Sequence, residues 1–242
     1  MSAGNTSAES GKRPGFYSLF AIVLGLVLIA GFGRTFFLKP LFATRGLSVP
    51  LVIHGLCGTS WFALLIRQAY LVRSRRLSDH RANGTRFGPA LVVIALLSAA
   101  WIVVLGASDG KPTGSGLPDN VALFIQLGTM TWFGGLAFLG FRTIRRPDYH
   151  KRYMVMATIA MLAPAYSRLG RLMPDGHFPV DTAFLATPLI GALLVYDIKS
   201  LGRPHPVTLW AGLGYLAYVA VRVPIGRSDL WTGTIAPFVF GM

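Results

Sequence analysis

The chain is poor in cysteine and in charge. Its one cysteine, Cys57, excludes an intrachain disulfide. Charged residues make up 13% of the 242 positions, and they lie almost entirely between apolar runs. That arrangement excludes a water-soluble helical domain, in which each helix keeps a polar face. Also absent are G-x-G-x-x-G, a P-loop, H-E-x-x-H and G-x-S-x-G, so no dinucleotide, nucleotide, zinc-protease or serine-hydrolase fingerprint is present. No linker is long enough to separate soluble domains.

What the chain does have is length of apolar sequence: 53% of it is hydrophobic. Seven runs approach the ~20 apolar residues that a spanning helix needs. They are Tyr17–Gly33, Val49–Val72, Gly88–Leu105, Val121–Phe141, Tyr153–Ser167, Val180–Tyr196 and Pro206–Val221. Leu91–Leu105 and Ala122–Phe141 are apolar all round. The expected fold is an all-α, multi-pass transmembrane helical bundle. Residues 1–16 read as a disordered cytoplasmic tail, 17–228 as the bundle and 229–242 as an apolar C-terminal tail on the outer side. Lys12 and Arg13 before an apolar run also fit a signal peptide, but the run from Tyr17 is longer than a typical h-region. Breaker signals at Asn83-Gly84 and Gly88-Pro89 suggest a connection over Arg73–Phe87.

The net charge of +14 is unevenly spread. Fourteen of the 23 basic residues fall on one side of the spans: Lys12, Arg13, Arg73, Arg75, Arg76, Arg81, Arg86, Arg142, Arg145, Arg146, Lys151, Arg152, Lys199 and Arg203. Eight fall on the other, and Arg67 lies within a span. The positive-inside rule then puts the N-terminus in the cytoplasm of a bacterial inner membrane and the C-terminus outside. Basic loops of this kind meet anionic membrane lipids rather than nucleic acid. Arg67 and Gln68 lie near the inner end of their span, where an arginine snorkels to the interface.

Two basic connections look like copies. Arg75-Arg76 precedes His80-Arg81 as Arg145-Arg146 precedes His150-Lys151, an offset of 70 residues that also aligns Gly58-Thr59 with Gly128-Thr129. A helical hairpin repeated in parallel explains the match.

Three histidines, His80, His150 and His205, are expected at helix starts on the cytoplasmic side. Asp79, Asp148 and Pro206 supply the start signals. With Arg81, Lys151, Arg152 and Arg203 they suit a phosphate or lipid headgroup. If the helix ends converge, the same imidazoles suit a transition metal; otherwise they simply sit among headgroups. On the outer side, His54 lies inside a span, where ionisable groups are functional candidates. Its possible neighbours are Asp119, Arg168, His177, Asp181 and Arg222, and plain interhelical hydrogen bonding is the alternative. Haem b needs two axial ligands at matching depth, and His54 has no histidine partner at its depth.

Several of these residues, taken in order, resemble one bacterial family. They are His54-Gly55, Thr59-x-Trp61, His80-Arg81-x-x-Gly84, His150-Lys151-Arg152-x-Met154, Leu162-Ala163-Pro164, Arg168, Tyr196-Asp197, His205-Pro206, Leu209-Trp210, Arg222 and Asp229-x-Trp231. The chain resembles seven-helix inner-membrane proteins of unassigned function over roughly Phe36 to Trp231. The resemblance implies a topology and no reaction. Members often carry His-x-His-Gly where this chain has Val52-Ile53-His54-Gly55, which argues against a His-paired metal or haem there.

The expected function is therefore a non-catalytic binding, assembly or accessory subunit of a larger membrane complex, in contact with other membrane proteins. A membrane oxidoreductase holding haem or a metal through His54, His80, His150 and His205 is the alternative. A small-molecule transporter is third.

Overall fold

The computed structural model describes residues 15–42, 46–108, 117–170 and 181–237, with backbone alone for 104–108 and 181–184. Helix α1 (Phe16–Phe32) runs on into a π-helical turn, Gly33–Phe37, and a short α2 (Lys39–Phe42). There follow α3 (Val49–Arg73), α4 (Leu77–Ser108), α5 (Asp119–Arg142), α6 (Pro147–Met161) and α7 (Ala163–Gly170). After α8 (Asp181–Leu201) and α9 (Pro206–Gly226), a second π-helical turn covers Leu230–Ile235. No strand occurs among the described residues.

Among the described residues, five helices are long and apolar enough to cross a membrane: Phe16–Phe37, α3, Leu77–Val103 of α4, α5 and α9. Their apolar windows have mean hydropathies from 1.3 to 2.3. Leu26, Leu56, Leu97, Phe138 and Trp210 point outward and are more than half exposed or close to it. Such a surface is unfavourable in water and natural in hydrocarbon, so the fold is compatible with a multi-pass membrane protein.

Two expectations are corrected. The connection expected over Arg73–Phe87 is only a tight turn at 74–76, and α4 runs unbroken through Gly84, Gly88 and Pro89. Proline at 89 removes one backbone donor, a loss that packed neighbouring helices tolerate. Around Gly84 the missing side chain has a use, since a Cβ there would stand 3.0 Å from the Gln68 amide of α3. The run Tyr153–Ser167 is not one helix but α6 and α7, broken at Leu162 two residues before Pro164. Residues 1–14 of the expected tail, with His177, lie outside the described residues.

Helices α6 and α7 form the centre of the bundle. Met156, Ala157, Thr158, Ile159, Ala160, Leu162, Ala165 and Tyr166 are fully buried. Four of these are alanine or threonine, and small residues let flanking backbones approach closely. Trp61 of α3 anchors there too, donating from Nε1 to Thr158 at 3.0 Å and meeting Phe133 edge-on.

The hairpins α3–α4 and α5–α6 turn at one end of the bundle, the basic end. Arg75 closes α3 in the left-handed region, at φ 58°, and Arg76 N–H bonds back to the Leu71 carbonyl. This is a Schellman-type stop. Both second helices then begin alike, with His80 N–H on Arg76 O at 3.0 Å and His150 N–H on Arg146 O at 2.9 Å. The start of α1 lies at this end as well. Phe16 stacks on Tyr196 of α8, and the Lys151 ammonium sits 4.8 Å from the Tyr17 ring centre.

Candidate functional site: a polar network at the basic end

Pro147 opens α6, and the residues that follow it project into the junction of α6, α8 and α9. Arg152 lies about a turn and a half in, with no solvent exposure. Side chains on a helix lean toward its N-terminus, so the guanidinium reaches back and donates from Nη1 to the Asp148 carbonyl at 2.8 Å. Its Nε donates to Asp197 Oδ1 of α8 at 2.9 Å, and Nη2 makes a second contact with the same oxygen. Thr208 of α9 donates to Asp197 Oδ2 at 2.6 Å. The carboxylate is thus bonded on both oxygens, as a fully buried charge requires. Three helices are fastened through one ion pair.

His205 extends the network to the surface. It is the N-cap of α9, and its Nδ1 accepts from Val207 N–H at 3.2 Å. An accepting Nδ1 leaves the proton on Nε2, which donates to Asp148 Oδ2 at 3.2 Å. Tyr149 meets the ring edge-on at 4.6 Å, and Arg146 covers Tyr149 at 3.8 Å. Burial lowers the His205 pKa below its ordinary value; the Asp148 hydrogen bond opposes this, and the Arg152 charge adds to it. Partial burial raises the Asp148 pKa, but the His205 hydrogen bond and backbone N–H groups outweigh it, for a net lowering. The Lys151 pKa is also lowered, by burial and then by Arg152. A cleft of about 360 Å³ opens beside this network, lined by Arg146, Asp148, Tyr149, Arg203 and His205.

A second polar cluster lies between the two hairpins. His150 Nδ1 donates to the Gly140 carbonyl at 2.8 Å, which leaves Nε2 as a lone pair. The His80 ring is 6.4 Å away, nearly perpendicular. Among the described residues, the buried His80 Nδ1 and Gln68 Oε1 have no hydrogen-bond partner there.

The candidates of the basic end are therefore close together but differently employed. His80, His150 and His205 all lie within a turn of a helix start. Arg152 is bonded to the Asp197 carboxylate and the Asp148 carbonyl. Arg81 and Arg203 are exposed, and Arg203 borders the cleft. Asp197 and Thr208 are the residues the sequence reading missed; Asp197 was noticed only as part of the Tyr196-Asp197 motif.

Of the outer candidates, the side chains of His54, Asp119, Arg168 and Arg222 lie among those described. His54 donates from Nδ1 to Ser98 Oγ at 3.0 Å, because the Ser98 hydroxyl itself donates to Ala95 O. This bond joins α3 to α4. Arg168 bonds the Pro164 carbonyl at 2.8 Å and lies over Phe32, within electrostatic reach of His54. Arg222 is buried in α9, and the Asp181 side chain is outside the described residues. Beyond α9, Trp231 donates from Nε1 to Asn120 O at 2.8 Å and packs against Phe124. Among the described residues no group of three or more His, Cys, Asp or Glu could hold a metal ion.

No family model, curated protein or solved structure matches the chain.

Proposed function

We propose that the protein is a multi-pass component of a bacterial inner membrane that serves as a binding, assembly or accessory subunit of a larger membrane complex, without catalysis of its own. In this reading the chain spans seven times with its N-terminus in the cytoplasm, and belongs to the uncharacterised inner-membrane family whose motifs it resembles. One observation carries the reading: the chemistry-bearing side chains are spent on fastening helices. Arg152 and Asp197 neutralise each other, His205 caps α9, His150 holds α5 to α6, and His54 holds α3 to α4. The matching starts of α4 and α6 support the parallel repeat.

Purification in a mild detergent tests the subunit reading. Copurifying membrane chains in fixed ratio are expected. A monodisperse free monomer, from cells that express the protein at its native level, would overturn it.

A second reading, a membrane oxidoreductase or metal protein, is favoured by His80 Nδ1 and Gln68 Oε1, two buried lone-pair groups without donors beside the free nitrogen of His150. Buried polar atoms left unmatched call for a water or an ion, and two imidazoles with an amide oxygen suit a transition metal. An absorption spectrum with a metal assay decides it. A haem Soret band or stoichiometric metal lost in a His80→Ala variant would put this reading first.

A further inference from the structure

Arg67 of α3 is an exposed cation within a helix long and apolar enough to cross a membrane. It lies six residues before the end of α3 at Arg73, about 9 Å along the helix at 1.5 Å per residue. Among the described residues no carboxylate pairs with it. A cation at that depth in a spanning helix needs an anion or a route to the interface.

The surroundings of Arg67 provide a place for that anion. Between α1 and α3 runs an open groove of about 550 Å³. Its floor is apolar, formed by Ile22 of α1 and by Ala63 and Ile66 of α3. Arg67, Tyr70 and Arg73 edge it toward the basic end. On α3 these positions recur every three or four residues and so share one face. The one hydroxyl of the lining on α1, Ser18, is already bonded to the Ala69 carbonyl, which leaves the floor without a free polar group from that side.

We infer that this groove is a binding site for an anionic diacyl phospholipid, with its phosphate between Arg67 and Arg73 and one acyl chain along Ile22, Ala63 and Ile66. The inference rests on the membrane reading given above. A guanidinium offers planar, paired donors that match phosphate oxygens. The apolar floor begins where the cations stop, which is the order of groups along a phospholipid. The headgroup is anionic because both charged residues that line the groove, Arg67 and Arg73, are cations. A choline ammonium would be repelled there, whereas a glycerol or second phosphate would not.

The test uses the full chain in mild detergent, stripped of lipid and titrated with dioleoyl phosphatidylglycerol or dioleoyl phosphatidylcholine, with retention read by native mass spectrometry. Carbonate extraction of the membranes comes first; release of the chain there would sink the membrane reading itself. The wild type is expected to hold phosphatidylglycerol more tightly than phosphatidylcholine. Arg67→Gln should weaken phosphatidylglycerol by about fivefold, the effect of one basic residue near a lipid surface. Arg86→Gln, an exposed arginine on α4, should leave it unchanged. Ala63→Phe fills the floor without touching charge and should weaken both lipids, so the site stays testable if Arg67→Gln is unstable. Equal retention of the two lipids would overturn the inference. So would equal effects of Arg67→Gln and Arg86→Gln, or a dimer that covers the groove.

Discussion

Gly31 of α1 lies so close to Ala165 of α7 that a Cβ on Gly31 would stand 2.7 Å from that residue's Cα, Cβ and carbonyl oxygen. Most of what opposes it is backbone, which cannot swing aside like the end of a side chain. The contact fixes α1 against the buried centre of the bundle. Replacing Gly31 with leucine should therefore cost at least the ~1–3 kcal/mol typical of overpacking. At Gly33, two residues on, a Cβ would meet nothing within 4 Å, so Gly33→Leu serves as the control. Thermal unfolding in detergent checks both, and equal midpoints for the two variants would remove Gly31 from the account of the fold.

The Arg152–Asp197 pair predicts an asymmetry between single and double substitutions. Asp197→Asn leaves a fully buried guanidinium without its counter-charge, and breaking such pairs costs about 3–5 kcal/mol. Replacing both partners, as Arg152→Met with Asp197→Leu, removes the desolvation penalty along with the attraction and should recover most of that loss. Circular dichroism across a denaturant series in mixed micelles measures it. A double variant as unstable as the sum of the singles would mean that the pair does not act as a unit.

Opposite signs are expected at two turn residues. Gly202 follows α8 at φ 72°, and a Cβ there would touch nothing, so Gly202→Ala tests backbone conformation alone. It should cost about 1 kcal/mol, the usual penalty for an L-residue in the left-handed region. Arg75 already bears that penalty at φ 58°, so Arg75→Gly should raise the thermal midpoint. Two shifts of the same sign would contradict the turn geometry.

The apolar runs made most helices legible, because lipid-facing helices need no polar face and so stand out by composition. The start of α4 was hidden by Gly84, Gly88 and Pro89, which read as a loop in water. Here Gly84 is a packing residue against Gln68, and the proline sits inside a helix supported by its neighbours. The break at Leu162 was hidden for the opposite reason, since apolar character continues across it. At the site, Pro206 and Asp148 announced helix starts correctly. The partner of Arg152 was invisible, because Asp197 lies 45 residues away and stood next to a basic connection, where a solvated carboxylate is ordinary. His205 as an N-cap was equally hidden, since the usual capping side chains are Ser, Thr, Asp and Asn.

His205 predicts a pH dependence whose direction follows from its bonds. Folded, its pKa lies below the ordinary value, chiefly through burial and with Arg152 adding to it. The unfolded chain has an imidazole near 6.5, so between the folded pKa and about 6.5 the unfolded state binds more protons. Stability from this group is therefore complete above about pH 6.5 and falls as pH drops through the folded pKa. The structural reason is specific: a proton on Nδ1 turns the acceptor of the Val207 N–H into a second donor facing it. The Asp148 carboxylate compensates only in part, since it is half exposed and its attraction is screened. The thermal midpoint should fall between pH 7.5 and 5.5, at roughly neutral to mildly acidic values well above the range where Asp148 titrates. His205→Asn keeps an oxygen able to cap α9 and does not titrate, so its midpoint should vary less over the same interval. If the two proteins lose stability in parallel, the titrating group lies elsewhere and His205 is only a cap.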